Sequence, residues 1–389
     1  MFKRVFLTVL DSFGVGELPD AKEFNDENSN TLRSCYNSGL LNVPNMAKMG
    51  LFNLDDIGFS CKKEENPIAS YGKFAEKSKG KDTTTGHWEL SGVTLDKPFP
   101  TFPNGFPTEI IEKLKKAFGV KGVLCNKPYS GTKVINDYGV EHLKSGYPIV
   151  YTSADSVLQI ACHEEVYSVE TLYSFCEKAR EIMQGEYAVG RVIARPFLGK
   201  EKEFYRTERR HDYSLLPPYK TLLDVLSENS FDVLSVGKIY DIFVGKGITE
   251  KIIAKNNYES EMGMMQSLKK DFNGLCFTNF VDFDMLYGHR NDVEGYSKAL
   301  NRFDVFLSEF MQEMREDDLL IVTADHGCDP ATPSTDHSRE YITCLIYGSK
   351  VNSVNIGIRK TFSDIGQTIA DNFSLKIKNG ESFLNKIIK

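Results

Sequence analysis

Six side chains have the types and spacing expected of a metal centre. Three of the seven histidines lie in acidic segments of the C-terminal third, each within five residues of an aspartate. Imidazole and carboxylate ligands together suit zinc, manganese or iron rather than calcium. Six protein ligands are too many for one catalytic ion that keeps an open position, and they suit two ions about 3.5–4 Å apart that share a phosphate. The candidate ligands are Asp11, Asp284, His289, Asp325, His326 and His337.

Short apolar runs precede most of these ligands and predict the elements that position them. Helical apolar periodicity occurs at residues 295–314 and 361–373. Strands that alternate with helices predict a doubly wound, mostly parallel α/β sheet, in which functional groups collect at the carboxyl ends of the strands. A single Asp–His pair is more often a surface hydrogen bond than a ligand set, but convergence at one sheet edge favours the metal site. The runs interpreted as buried parallel strands are residues 5–10, 231–236, 275–281, 319–323 and 342–347.

A polar, glycine-flanked segment at residues 80–89 contains the single tryptophan and a candidate nucleophile. Its consecutive threonines, Thr83, Thr84 and Thr85, could begin a helix, whose N-terminal N–H groups favour a phosphate. A hydroxyl becomes a useful nucleophile when a metal or base activates it, and the predicted metal pair would do so. On spacing alone the same residues fit a plain helix N-cap beside a structural Trp88 slightly better, and composition does not choose among the threonines.

Two proline clusters predict a domain insertion. Prolines at 98, 100, 103 and 107 form the first cluster, and Pro217-Pro218 forms the second. Proline ends regular elements and stiffens linkers, so both clusters are typical of crossings between domains. We therefore expect a core made of residues 1–97 and 217–389, and a smaller inserted α/β cap domain at residues 98–216.

The predicted insert is rich in side chains that could bind a sugar phosphate. Arginine forks pair with phosphate oxygens, Asp155 could accept bonds from sugar hydroxyls, and Lys238 follows the strand at 231–236 in the core. A lid that closes on the metal face would also exclude water. A solvated basic face explains such an arginine run equally well. The arginines are Arg191, Arg195, Arg206, Arg209 and Arg210.

The bulk composition is that of a water-soluble globular protein. The formal net charge of -7 and the pI of about 5.7 argue against a nucleic-acid partner. The N-terminal apolar run is too short for a signal segment, and no stretch approaches the roughly 20 apolar residues of a membrane span. The eight cysteines form no C-x-x-C pair and read as reduced core thiols. We expect a cytoplasmic protein with no membrane association and no obligate protein partner.

Seven longer motifs make a more specific pattern. With them the chain resembles the phosphopentomutases, a family of the alkaline phosphatase superfamily, along essentially its whole length. One visible departure is Cys328 after His326-Gly327, where the family often has asparagine. It lies beside the candidate ligands rather than among them. The motifs are DSFGVG at 11–16, GKDTTTGHWE at 80–89, YTSADS at 151–156, GRVIARP at 190–196, RHDY at 210–213, VDFD at 281–284 and TADHG at 323–327.

The resemblance implies residue roles that composition leaves open. In the family the threonine after the Lys-Asp pair is phosphorylated, which here is Thr83. One metal would be held by Asp284, His289 and His337, and the second by Asp11, Asp325, His326 and Thr83. Manganese is the implied metal, with other divalent ions possible in its place. The implied substrate-binding residues are Asp155, Arg191, Arg206 and Lys238.

The resemblance also implies a reaction. The family interconverts ribose 1-phosphate and ribose 5-phosphate, and the 2-deoxyribose forms, in nucleoside and pentose phosphate metabolism. The implied route uses a phosphothreonine enzyme and a bisphosphate intermediate, primed by a sugar bisphosphate such as glucose 1,6-bisphosphate or ribose 1,5-bisphosphate. A phosphatase, phosphodiesterase or sulfatase of the same superfamily would have a similar metal face. So would a phosphoglycerate mutase, which normally carries serine at the place of Thr83. A metal-storing or sugar-phosphate-binding protein without chemistry is a further alternative, though pure binding needs no nucleophile.

Overall fold

The computed structural model describes residues 1–153 and 155–389. The chain forms two compact units, one comprising Met1–Lys97 with Pro217–Lys389 and the other Pro98–Leu216. Prolines open both crossings, since Pro98 begins the second unit and Pro217 returns the chain to the first. The remaining prolines of the first cluster lie within the second unit, whose hydrophobic core already includes Phe106.

Strands and helices alternate along most of the chain. In chain order the strands are β1 (Arg4–Leu10), β2 (Gly14–Glu17), β3 (Ser70–Phe74), β4 (Leu124–Pro128), β5 (Ile149–Thr152), β6 (Val157–His163), β7 (Arg191–Leu198), β8 (Tyr205–Arg206), β9 (His211–Ser214), β10 (Asp232–Val236), β11 (Glu250–Ile252), β12 (Gly274–Phe280), β13 (Asp318–Thr323), β14 (Glu340–Tyr347) and β15 (Asn355–Arg359). The helices are α1 (Thr31–Asn37), α2 (Pro44–Lys48), α3 (Thr83–Leu90), α4 (Thr108–Phe118), α5 (Gly131–Ser145), α6 (Val169–Ile182), α7 (Leu222–Glu228), α8 (Ile239–Ile242), α9 (Asn257–Leu268), α10 (Val293–Glu313), α11 (Ser363–Asn372) and α12 (Leu384–Ile387).

The first unit is built on a sheet with the strand order β11-β10-β12-β1-β13-β14-β3-β15, and β2 pairs with β14. Strands β1, β12 and β13 are buried at every position, as expected of strands that helices cover on both faces. Helix α10 buries the apolar stripe that the sequence predicts, including Tyr296, Leu300 and Phe303. The predicted α/β fold with a mostly parallel core sheet is confirmed.

The interpretation of residues 342–347 as a parallel strand is wrong. Strand β14 contains this run but is antiparallel to β13, β3 and β2. The burial of β14 resembles that of a parallel strand, so hydrophobicity alone does not reveal its direction. The connection from β13 contains no helix in the described residues, and such a connection returns the chain antiparallel.

The second unit has its own sheet, with the order β4-β5-β6-β7-β8 and β9 paired to β7. Alternating side chains of its strands enter two separate hydrophobic cores. One core contains Val150 and Ile160 with residues of α4 and α6, and the other contains Ile149 and Tyr151 with residues of α5. This unit is therefore also a layered α/β structure.

The lengths of the helices and the state of the cysteines were both subjects of sequence predictions. Among the described residues, no helix has the length and apolarity needed to cross a bilayer. All eight cysteines are free thiols, and six of them, including Cys328, are buried.

Candidate metal centre

The candidate ligands converge at one edge of the core sheet. Strands β1, β12 and β13 run parallel and in register, so that they end side by side. Asp11 follows β1 directly, and Asp325 follows β13 after one intervening residue. Because β14 is antiparallel, it begins at this same edge, and His337 lies just before it.

Asp11, Asp325 and His326 form one cluster. His326 Nε2 lies 3.3 Å from Asp11 Oδ1 and 3.3 Å from Asp325 Oδ2. All three side chains are buried. Thr83 Oγ1 lies 3.3 Å from the same imidazole nitrogen. The threonine hydroxyl is therefore adjacent to this cluster.

Asp284, His289 and His337 form a second cluster. A π-helical turn at Phe283–Tyr287 and a 3-10 turn at Gly288–Arg290 follow β12 and carry the first two residues. Asp284 Oδ2 is 3.2 Å from His289 Nε2, and Asp284 Oδ1 is 3.4 Å from His337 Nε2. The rings of His326 and His337 lie 4.1 Å apart, centroid to centroid, so the two clusters are neighbours.

Unsatisfied polar atoms support cation binding at both clusters. Among the described residues, four buried ligand atoms have no hydrogen-bond partner. An unsatisfied buried polar atom costs about 1–3 kcal/mol, so such a concentration requires an explanation. Carboxylate and imidazole donors that face one another would be satisfied by divalent cations, and these residues therefore fit a metal pair. The atoms are Asp11 Oδ1, Asp284 Oδ1, Asp325 Oδ2 and His337 Nε2.

In each cluster, carboxylates favour a proton on a histidine at the place where a cation would bind. Burial opposes ionisation of Asp284, yet the imidazoles of His337 and His289 hold its pKa well below the usual value. The hydrogen bond to Asp284 raises the pKa of His289 to about 9. Burial opposes protonation of His326, but Asp325 and Asp11 hold its pKa well above the usual value. A divalent ion would replace these protons.

Thr83 is the first residue of α3, and the cap of that helix is Asp82. The Asp82 side chain accepts hydrogen bonds from the N–H groups of Thr84 and Thr85, and it also accepts from the Thr85 hydroxyl. The interpretation of Thr83 as a plain N-cap is therefore wrong. Thr83 is left with its hydroxyl beside His326.

Helix α3 packs against the end of β13 without room for a side chain at Gly86. A Cβ atom on Gly86 would lie 2.0 Å from the Asp325 carbonyl oxygen. Three further residues support the site and are missing from the sequence prediction. His87 and Asn279 contact the ligands, and Arg339 donates to the Gly80 carbonyl just before Thr83.

In the second unit, Asp155, Arg191 and Arg206 line a cavity of about 400 Å³. Arg195 and Arg210, arginines of the same predicted run, line it as well. The carboxylate of Asp212 pairs with two of the guanidinium groups, at 3.4 Å from Arg191 Nη1 and 2.6 Å from Arg210 Nη2. The lining residues include four arginines and one aspartate, Asp155, so the cavity is predominantly cationic.

Lys238 lies in the first unit. It precedes α8 and is two residues beyond β10, a strand parallel to β12. It therefore belongs to the same sheet edge as the candidate metal ligands.

Comparisons with known proteins identify the family of this chain. The sequence model described as Metalloenzyme superfamily matches residues 3–377. The phosphopentomutase of Lachnoclostridium phytofermentans is 54% identical over 389 residues, which is 100% of both chains. The phosphopentomutase of Dictyoglomus thermophilum is 58% identical over 99% of this chain and 98% of its own. The chain belongs to the phosphopentomutase family. Membership of this family makes it a metalloenzyme and a phosphotransferase of the isomerase class.

Solved structures support the fold assignment of this chain. The PH0037 protein from Pyrococcus horikoshii has a TM-score of 0.52 at 16% identity and covers 98% of this chain and 100% of its own. A phosphoglycerate mutase from Leishmania mexicana has a TM-score of 0.52 at 11% identity and covers 98% of this chain and 97% of its own. At these identities the likeness concerns the fold alone.

Proposed function

We propose that this enzyme interconverts ribose 1-phosphate and ribose 5-phosphate, and the 2-deoxyribose forms, through a phosphorylated Thr83 and a bisphosphate intermediate. The observation that carries the proposal is the 3.3 Å separation between Thr83 Oγ1 and His326 Nε2. It puts the hydroxyl of a helix N-terminal residue beside a buried carboxylate and imidazole cluster. Such a hydroxyl is suited to receive and return a phosphoryl group.

The proposed metal pair is two manganese ions or other divalent ions. Asp284, His289 and His337 would hold one, and the second would be held by the cluster beside Thr83, namely Asp11, Asp325 and His326. When bound, such ions polarise phosphoryl oxygens and neutralise charge on the attacking and leaving oxygens. The unsatisfied buried ligand atoms support this assignment.

The residues of the chain would act in a fixed order. Thr83 begins phosphorylated, primed by glucose 1,6-bisphosphate or ribose 1,5-bisphosphate. Its phosphoryl group passes to the free hydroxyl of the pentose phosphate, which gives a bisphosphate and the free Thr83 hydroxyl. The other phosphate of the bisphosphate then returns to Thr83, and the isomeric monophosphate leaves.

We assign substrate binding to Asp155, Arg191 and Arg206 of the inserted domain, with Lys238 from the core. The arginine-lined cavity supports the first three, because guanidinium forks bind phosphate oxygens in pairs. Asp155 would accept hydrogen bonds from the sugar hydroxyls. The proposal includes a cytoplasmic location and pentose phosphates as partners, with no nucleic acid, membrane or obligate protein partner.

Labelling tests the nucleophile. The manganese-loaded enzyme is incubated with glucose 1,6-bisphosphate, and the phosphorylated residue is located by mass spectrometry. We expect the wild type and a Thr84→Ala control to carry phosphate at position 83, and Thr83→Ala to carry none while keeping its metal content. Phosphate on the Thr83→Ala variant would overturn the assignment. So would the lack of phosphate on every protein tested, including the wild type, and that result would favour a binding protein.

A further inference from the structure

A buried chain of polar contacts joins the metal-ligand carboxylates to the helix that carries Thr83. Asn279 Nδ2 donates to Asp11 Oδ2 over 2.9 Å, and the same nitrogen lies 3.2 Å from His87 Nε2. His87 Nδ1 lies 2.9 Å from the Thr83 carbonyl oxygen and 3.0 Å from Asp325 Oδ2. The side chains of His87, Asn279, Asp11 and Asp325 are all 0% exposed.

The contacts define where the imidazole proton lies. The Asp11 carboxylate accepts, so it is the amide nitrogen of Asn279 that faces it. That nitrogen has a second hydrogen, and His87 Nε2 must accept it. The proton of a neutral His87 is therefore on Nδ1, where it is donated to the Thr83 carbonyl. Asp325 Oδ2 lies 3.0 Å from the same nitrogen, so His87 also contacts the second carboxylate.

Two packing contacts fix the imidazole in this position. The ring of His87 stacks on Phe277 with a centroid separation of 5.7 Å and an interplanar angle of 26°. The preceding residue, Gly86, touches the Asp325 backbone so closely that a Cβ atom would not fit. The position of α3 is thus set by direct contact with β12 at His87 and with the end of β13 at Gly86.

We propose that His87 is a positioning residue that, together with Asn279, holds the first turn of α3 at a fixed distance from Asp11 and Asp325. This inference rests on the proposed function, in which Thr83 and the two carboxylates act at one cation. Without the imidazole nitrogens, Thr83 could drift relative to Asp11, and the Asn279 amide that orients Asp11 would lose its contact with His87. Partners that orient metal ligands typically change metal affinity 10- to 100-fold when they are removed.

The main variant is His87→Phe, which keeps an aromatic ring against Phe277 but removes both nitrogen contacts. We expect its affinity for Mn²⁺, measured from the electron paramagnetic resonance signal of free Mn²⁺, to fall roughly 10- to 100-fold. We expect kcat to fall more than KM rises, because the substrate-binding residues are untouched. His87→Asn offers an amide N–H near the place of Nδ1 and should recover several-fold of the lost affinity.

His142→Phe is the matched control. His142 is also a buried histidine whose Nδ1 contacts a backbone carbonyl, that of Tyr147, but it lies in the second unit. Its variant should keep the wild-type Mn²⁺ affinity. Asn279→Leu probes the same chain of contacts from its other end and should weaken Mn²⁺ binding as His87→Phe does, which covers the case that His87→Phe fails to fold.

The outcomes separate this inference from the proposed function. If the wild type binds no Mn²⁺ or takes no phosphate at Thr83, the proposed function fails. If the wild type binds Mn²⁺ and takes phosphate at Thr83, and His87→Phe has the same Mn²⁺ affinity as the wild type, the inference is wrong. It is also wrong if His87→Phe and His87→Asn lose Mn²⁺ affinity equally and in proportion to a lowered melting temperature, because His87 is then a structural residue.

Discussion

Ser12 shows how the site constrains single residues. It follows Asp11 and has a φ of 75°, a left-handed conformation that costs a non-glycine residue about 1–3 kcal/mol. In this conformation its N–H donates to Asp325 Oδ1 over 3.1 Å, and its hydroxyl contacts the Tyr296 hydroxyl at the same distance. The backbone strain is thus coupled to the orientation of a candidate metal ligand.

The pKa of His289 predicts a pH dependence of metal binding. The metal-free site holds a proton on His289, whose pKa is raised to about 9, whereas a metal ligand must be the neutral imidazole. Each binding event therefore displaces protons, and the apparent Mn²⁺ affinity should rise between pH 6 and pH 8. We expect roughly a tenfold rise per pH unit for each proton displaced.

The measurement is a titration of free Mn²⁺ by electron paramagnetic resonance at several pH values. Asp284 does not compete in this range, because its pKa is held well below the usual value. A His289→Ala variant should bind more weakly and with a shallower pH dependence. An affinity of the wild type that is independent of pH would contradict the predicted proton displacement.

At the scale of elements, the position of α3 depends on Gly86. Alanine there would place a Cβ atom 2.0 Å from the Asp325 carbonyl oxygen, so the helix must shift away from β13. Gly86→Ala should lower the free energy of unfolding by about 1–3 kcal/mol, the usual cost of overpacking, and should slow phosphorylation of Thr83. Thermal unfolding and mass spectrometry measure the two effects.

Gly190→Ala is the control for stability. A Cβ atom on Gly190 would meet no atom closer than 3.5 Å, an ordinary van der Waals contact. This control should unfold at the wild-type temperature. Wild-type stability and labelling in Gly86→Ala would show that α3 does not need its close approach to Asp325.

The sequence predicts elements where hydrophobic periodicity and chain order agree. The runs before Asp11 and Asp325 are fully buried strands, and the structure brings the side chains that follow them together. The direction of β14 was mispredicted because it depends on the connection before the strand and not on the composition of the strand itself. The composition of the strand therefore carries no signal of its direction, whereas the connection without a helix does.

Supporting residues are harder to predict than ligands for a similar reason. Strand β12 contains two polar residues, Thr278 and Asn279, in an otherwise apolar run. A buried amide in such a strand is a signal that could have been used. Arg339 gives no such signal. It is buried, and its guanidinium donates to Asp20, Glu76 and the Gly80 carbonyl, all distant in sequence. Its contacts emerge only when the strands assemble.

At the scale of the whole molecule, the two units are proposed to divide the work between phosphoryl transfer and substrate binding. Arg206→Lys tests this division, because lysine keeps the positive charge but lacks the guanidinium group that binds two phosphate oxygens at once. Losing one charge-assisted hydrogen bond costs about 1.5–3 kcal/mol, so KM for ribose 5-phosphate should rise roughly 10- to 100-fold. The bound Mn²⁺ should stay unchanged.

Arg209→Lys is the matched control in the same unit. Arg209 is exposed, pairs with Glu164 and does not line the arginine-rich cavity. Steady-state kinetics should find its KM close to that of the wild type. Equal effects of the two substitutions, or loss of metal from Arg206→Lys, would contradict the division of roles.

The most direct measurement of the central claim follows the phosphate of the substrate to its products. The manganese-loaded enzyme receives ribose 1-phosphate and a trace of glucose 1,6-bisphosphate, and phosphorus NMR records the products. We predict ribose 5-phosphate with little inorganic phosphate, and no product after exhaustive chelation or in Thr83→Ala. Mainly inorganic phosphate, or equal turnover after chelation, would contradict the account of a metal-dependent mutase that works through Thr83.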